Sequence, residues 1–78
     1  HLDTVPPYVP PRREQGRLYG RGSCDAKGIA AAMMVAGDRL VAQGNERVDL
    51  LFVVGEERGS DGARLANQLP ATSKWLIN

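Results

Sequence analysis

Residues 18–54 read LYGRGSCDAKGIAAAMMVAGDRLVAQGNERVDLLFVV, and the order of patterns within them decides the fold. A glycine-rich turn, Gly20-Arg21-Gly22-Ser23, opens a stretch over residues 26–42 with two series at helical spacing. One is Ile29, Met33, Ala36 and Leu40; the other is Ala30, Met34, Gly37 and Val41. Gly44 is a natural stop. The small side chains of Ala30, Ala31, Ala32 and Ala36 imply a helix packed closely on a sheet. Residues 48–54, Val-Asp-Leu-Leu-Phe-Val-Val, are β-branched and nearly all apolar, the composition of a strand covered on both faces. A central, parallel strand is expected there.

Working outward, Arg17-Leu18-Tyr19 reads as a short strand, and residues 12–16 before it as a polar turn. Residues 1–11 carry Pro6, Pro7, Pro10 and Pro11, which withhold backbone donors and keep that segment an extended loop. On the other side, Gly55-Glu56-Glu57-Arg58-Gly59 makes a polar turn. Ser60 or Asp61 then caps a helix running to about Leu69, Pro70 stops it, and Trp75-Leu76-Ile77 begins another strand. Helices that alternate with strands make an α/β class with a mainly parallel sheet.

The whole chain is 78 residues, 42% hydrophobic and 24% charged, a composition that packs and excludes disordered or low-complexity classes. A chain of that length buries only about 60% of its unfolded surface. Residues 1–78 are therefore expected to be part of one domain of a longer protein. Ten basic and nine acidic residues leave a net charge of +1 without blocks of either sign, so neither a nucleic-acid nor a membrane surface is indicated. The longest apolar stretch, residues 28–37, is too short to cross a bilayer. A single cysteine, Cys24, makes no internal disulfide and fits a reducing, cytoplasmic setting.

In open α/β sheets ligands bind beyond the carboxyl ends of strands, which singles out three polar groups: His1 with Asp3, Asp25 with Lys27, and Glu56 with Glu57. Four carboxylates gathered in a partly dry cleft repel one another and take up protons unless a cation neutralises them. A divalent metal is the economical solution. His1 and Asp3, two apart in extended chain, share a face, so one can orient the other. Taken singly, each group also has a plain reading: a surface His beside a turn, a helix N-cap at Asp25, a solvated glutamate turn. The neighbouring glutamates offer two roles in one place, one carboxylate to a metal and the other to a water. Nucleotide loops are excluded. Asp25 stands where the dinucleotide fingerprint has Gly, and Lys27-Gly28 reverses the Gly-Lys order of a P-loop. Cys24 reads as a small buried residue, Met33 and Met34 as core, and Trp75 as packing.

Taken together, His1-Leu2-Asp3-Thr4-Val5-Pro6, then residues 18–28, then Gly55-Glu56-Glu57-Arg58-Gly59-Ser60 resemble three successive signatures of one family. It is the co-catalytic zinc amidohydrolase and peptidase family of acetylornithine deacetylase, succinyl-diaminopimelate desuccinylase, aminoacylase and carboxypeptidase G. The resemblance implies a three-layer α/β sandwich with a mainly parallel sheet, of which these residues are a fragment. It implies a hydrolase of amino-acid metabolism that needs two zinc ions, with cobalt or manganese as acceptable substitutes. By the same resemblance His1 is a ligand of one metal, Asp3 the carboxylate that orients it, Asp25 the bridge between metals, and Glu57 a ligand of the second. Glu56 is the general base that takes a proton from the attacking water and delivers it to the leaving amine. The implied substrate is an N-acyl amino acid or small peptide. The family's further acidic ligand beyond the strand near Trp75, its late histidine, and its lid or dimerisation domain lie outside the 78 residues, and a homodimer is implied for the full-length protein. The alternative is an inactive relative kept as a fold or interaction module.

Overall fold

A computed structural model describes residues 1–78. Strand β1 (Arg12–Glu14) pairs antiparallel with β2 (Arg17–Tyr19) in the register Arg12↔Tyr19, Arg13↔Leu18, Glu14↔Arg17. The two residues between them, Gln15 and Gly16, both take positive φ, 49° and 76°. That is the turn whose twist matches the twist of paired strands, and it makes Arg12–Glu14 a strand where the sequence suggested only a turn. The Arg12 guanidinium sits 4.5 Å from the Tyr19 ring centre and 3.1 Å from Glu14, which covers one face of the hairpin.

Helix α1 (Lys27–Ala42) follows the glycine-rich turn, as the spacing predicts. Its first turn lies so close to that turn that a Cβ on Gly28 would fall 2.3 Å from the Ser23 carbonyl oxygen, so glycine is required there. The helix ends in a Schellman arrangement: Asn45 N–H donates to Leu40 O and Gly44 N–H to Val41 O, both at 2.9 Å, with Gly44 in the left-handed region. A single 3-10 turn (Glu56–Arg58) and helix α2 (Asp61–Ala66) complete the regular structure. Helix α2 is shorter than expected, although Gln68 and Leu69 continue it as turns. Neither Ser60 nor Asp61 caps it through a side chain; Ser60 has φ 59° and supplies only its carbonyl, to Arg64 N–H.

These elements are too few to make the three-layer sandwich, and the one sheet present is the antiparallel hairpin. Two expected strands do not form. Residues 48–54 make no ladder: Leu2 N–H donates to Val53 O at 3.0 Å and Gly62 N–H to Val54 O at 3.0 Å. Residues 75–77 form no strand either, and Trp75 is 90% exposed rather than packed. The physical reason is that a strand is defined by its neighbour. An apolar, β-branched run supplies one side of a ladder, and these residues supply no second side.

The same shortage governs the core. Gly22, Ala26 and Ala30 are the buried residues, all at the junction of the glycine-rich turn with α1. Met33 and Met34, expected in the core, are exposed, Met34 by 56%. Cys24 is exposed rather than buried. Met34, Val35 and Val41 of α1 face Val48, Leu50 and Phe52 across an open groove of about 570 Å³. No helix is long and apolar enough to cross a membrane.

Candidate metal centre

Three chain segments meet at one end of the molecule. The extended start of the chain supplies His1 and Asp3, the turn ahead of α1 supplies Asp25, and the 3-10 turn supplies Glu56 and Glu57. That last turn is short because Gly55 and Gly59 on either side of it take φ 75° and 106°, a left-handed backbone that reverses the chain within a few residues. Asp25 precedes the N-cap Ala26 and does not cap the helix, so its carboxylate is free to face His1.

The His1 side chain is well shielded, 11% exposed. Its Nε2 lies 3.0 Å from Asp25 Oδ1 and 3.5 Å from Glu56 Oε2. Its Nδ1 lies 3.2 Å from the Asp3 carbonyl oxygen and 3.5 Å from Asp3 Oδ1. One ligand atom each from His1, Asp25 and Glu57 fall within 4.8 Å of one another. The sequence grouped these three residues although 56 positions separate the first from the last. Lys27, grouped with Asp25 in the sequence, forms no ion pair.

Desolvation by itself pulls the His1 imidazole pKa down. The hydrogen bond with Asp25, the Asp3 carbonyl and the charges of Glu56 and Asp25 outweigh it, and the pKa stands above the ordinary 6.5. Desolvation likewise pushes the Asp3 carboxyl up. Backbone N–H groups of Glu57, Glu56 and Asp3 itself, with the nearby His1, more than reverse that and hold it below the ordinary carboxylate value.

The donor set suits a divalent metal. Two donors on one tetrahedral zinc stand about 3.4 Å apart, so the 3.0 Å between His1 Nε2 and Asp25 Oδ1 is near the span that a shared ion sets. An imidazole nitrogen with two carboxylates is a mixed, borderline-hard set that takes zinc, cobalt or manganese. One feature escaped sequence reasoning: the Asp3 carboxylate accepts from Glu56 N–H at 3.2 Å and from Glu57 N–H at 3.1 Å. Only a turn with unsatisfied N–H groups after an apolar run hinted at it. A second is Arg21, whose Nε donates to Pro7 O at 3.0 Å and whose N–H donates to Val9 O, holding the proline segment against the glycine-rich turn.

Residues 1–74 match the sequence profile of peptidase family M20/M25/M40. A peptidase M20 domain-containing protein of Schizosaccharomyces pombe is 44% identical over 75 residues, covering 91% of this chain and 19% of that protein. A protein of Aspergillus fumigatus named probable carboxypeptidase is 42% identical over 78 residues, 87% of this chain and 18% of its own length. A Pyrococcus abyssi protein, provisionally named a LysW-lysine/LysW-ornithine hydrolase, is 45% identical over 64 residues, 82% of this chain and 18% of its own. The chain thus spans about a fifth of the length of the curated relatives it matches. No solved structure gives a significant match.

Proposed function

The chain belongs to peptidase family M20/M25/M40, and from that premise we propose that it is the metal-holding part of a larger catalytic domain that hydrolyses an amide bond. The proposed substrate is an N-acyl amino acid or small peptide. The observation that carries this reading is the meeting of His1, Asp25 and Glu57 within 4.8 Å, with the Glu56 carboxylate 3.5 Å from the same imidazole nitrogen. The names of the relatives, carboxypeptidase and hydrolase, support the reaction class. The proposed architecture of the whole domain is the three-layer sandwich with a mainly parallel sheet, in which residues 48–54 find their neighbours. Cytoplasmic residence, supported by the lone Cys24, and a homodimer of the full-length protein belong to the same proposal.

In this reading His1 would be a ligand of one metal, Glu57 of the second and Asp25 of both, with zinc as the ion and cobalt or manganese as substitutes. Bound there, such ions would supply Lewis acidity to polarise the scissile carbonyl and make a water acidic. The chain's own residues do the rest. His1 donates from Nδ1 to the Asp3 carbonyl and from Nε2 to the Asp25 carboxylate, and Nε2 would give up its proton on taking a metal. Glu56, left without a ligand role, takes a proton at Oε2 from the water as its oxygen bonds to the carbonyl carbon. It returns that proton to the nitrogen as the carbon–nitrogen bond breaks, so acid and amine leave in balance.

Elemental analysis of the full-length protein beside its turnover of N-acyl amino acids tests the reading. Stoichiometric divalent metal, with activity lost on chelation and regained on adding zinc, is the expected result. A metal-free protein that binds no zinc overturns it and leaves the inactive-module alternative standing.

A further inference from the structure

We propose that the Asp3 carboxylate is the positioning group for the Glu56–Glu57 turn. The inference rests on the reading of the site as a metal-dependent hydrolase and adds to it the residue that places both the second metal's ligand and the base.

His1 Nδ1 is nearer the Asp3 carbonyl oxygen, at 3.2 Å, than the nearer carboxylate oxygen, at 3.5 Å. The carboxylate's shorter contacts, at 3.2 and 3.1 Å, lie on the turn. Oδ1 accepts from Glu56 N–H and Oδ2 from Glu57 N–H, one amide to each oxygen, across more than fifty residues of chain. Those two amides open the 3-10 turn, where backbone donors have no partner within the turn itself. The remaining bonds of the turn close on Gly55 O, from Arg58 N–H and Ser60 N–H, and leave Glu56 and Glu57 N–H to Asp3. Leu2 N–H to Val53 O is the third rung of this contact, so residues 2–3 run along 53–57 as a splint. An ionised carboxylate is acceptor-only and can satisfy two donors at once. Asparagine, of the same shape, cannot, since its NH₂ would meet one of the two N–H groups donor to donor.

The experiment is Asp3→Asn in the full-length protein, with two readouts. In the metal-free protein, hydrogen exchange at the Glu56 and Glu57 amides should speed up roughly tenfold, about what losing one bond to a charged acceptor allows. In zinc titration, the weaker of the two binding steps should loosen by a similar factor while the tighter holds, and Glu57→Gln should loosen the same step. Unchanged amide exchange, or an unchanged weaker zinc-binding step, overturns the proposal. A wild-type protein that binds no zinc sinks the hydrolase reading but leaves amide exchange to judge Asp3. Should Asp3→Asn fail to fold, a crystal structure of the unsubstituted protein decides: carboxylate oxygens beyond 3.5 Å from both amides refute the splint, and contacts as described here support it.

Discussion

The two ends of the chain's structure are held by different physics. At the polar end, His1, Asp3, Asp25, Glu56 and Glu57 are tied by five contacts of 3.0–3.5 Å among side chains and amides. At the apolar end, Met34, Val41, Val48, Leu50 and Phe52 flank an open groove, and residues 75–77 touch nothing that shields them. Hydrogen bonds are short-range and directional, so a few turns that present donors and acceptors suffice to assemble a polar cluster. Apolar burial scales with area removed from water and needs a second layer before it stabilises anything. A polar site can therefore take shape in a chain whose hydrophobic faces still await their cover.

The sharpest way to break that picture is at the base. Glu56→Gln in the full-length protein should keep its metal and its substrate affinity and lose about 10²–10⁴ in kcat, since the amide is nearly isosteric and accepts no proton. Metal content measured beside kcat checks it. Turnover within a few-fold of wild type would remove the hydrolase's base.

Next in size is the apolar end. The 78 residues produced alone should show no sharp cooperative melt, because the bonds that set the site cannot replace the missing burial. Differential scanning calorimetry of the isolated chain reads this directly. A single cooperative transition without partner or metal would mean that the exposed groove is no liability, and the contrast between the two ends would collapse.

A smaller effect separates the two glutamates. Glu57→Gln should loosen one metal, by about tenfold or more, because a neutral amide oxygen is a weaker donor than a carboxylate. Excess zinc should then restore part of the activity, which it cannot do for Glu56→Gln. If zinc titration instead shows Glu56→Gln short of a metal and Glu57→Gln fully loaded and inactive, the two roles are exchanged.

What the sequence made legible follows the same divide. Helix α1 was readable because its period, its Gly44 stop and its small residues all lie within one element. The hairpin was half-readable, since Leu18 is its only apolar residue among strands otherwise made of Arg, Glu and Tyr. Residues 48–54 were misread as a strand in this chain because apolar β-branched character says what a segment can pair with, not whether a neighbour is there. Met33, Met34 and Trp75 were misplaced for that reason too. At the site, the chemistry of His1, Asp25 and Glu57 was visible as residue types at turns, and the structure brings the three together. The Asp3 contacts with the Glu56 and Glu57 amides were not visible. Backbone N–H groups carry no signature in a sequence, and which carboxylate accepts them depends on how two distant segments run side by side.

The least of the expected effects is a pH shift, and its sign discriminates between desolvation and the acidic surroundings of His1. Shielding alone would lower the imidazole pKa, whereas the Asp25 bond, the Asp3 carbonyl and the Glu56 charge raise it above 6.5 in the metal-free protein. A raised histidine pKa gives a stabilising contact that is fully present below 6.5 and fades as pH rises through the folded-state value. Metal uptake runs the other way. The same Nε2 must lose its proton to bind, so zinc affinity should fall as pH drops through that raised value, with a proton released on binding. Asp3 opposes this at the acid end only. Its lowered carboxyl pKa keeps the bonds to Glu56 and Glu57 intact until pH falls through the depressed value. A proton NMR titration of His1 Hε1 without metal should thus have its midpoint above 6.5, and zinc affinity should begin to fall at that same pH. A midpoint below 6.5 would mean that shielding outweighs the carboxylates, and that the polar end is less tightly knit in solution than the 3.0 Å His1–Asp25 contact makes it.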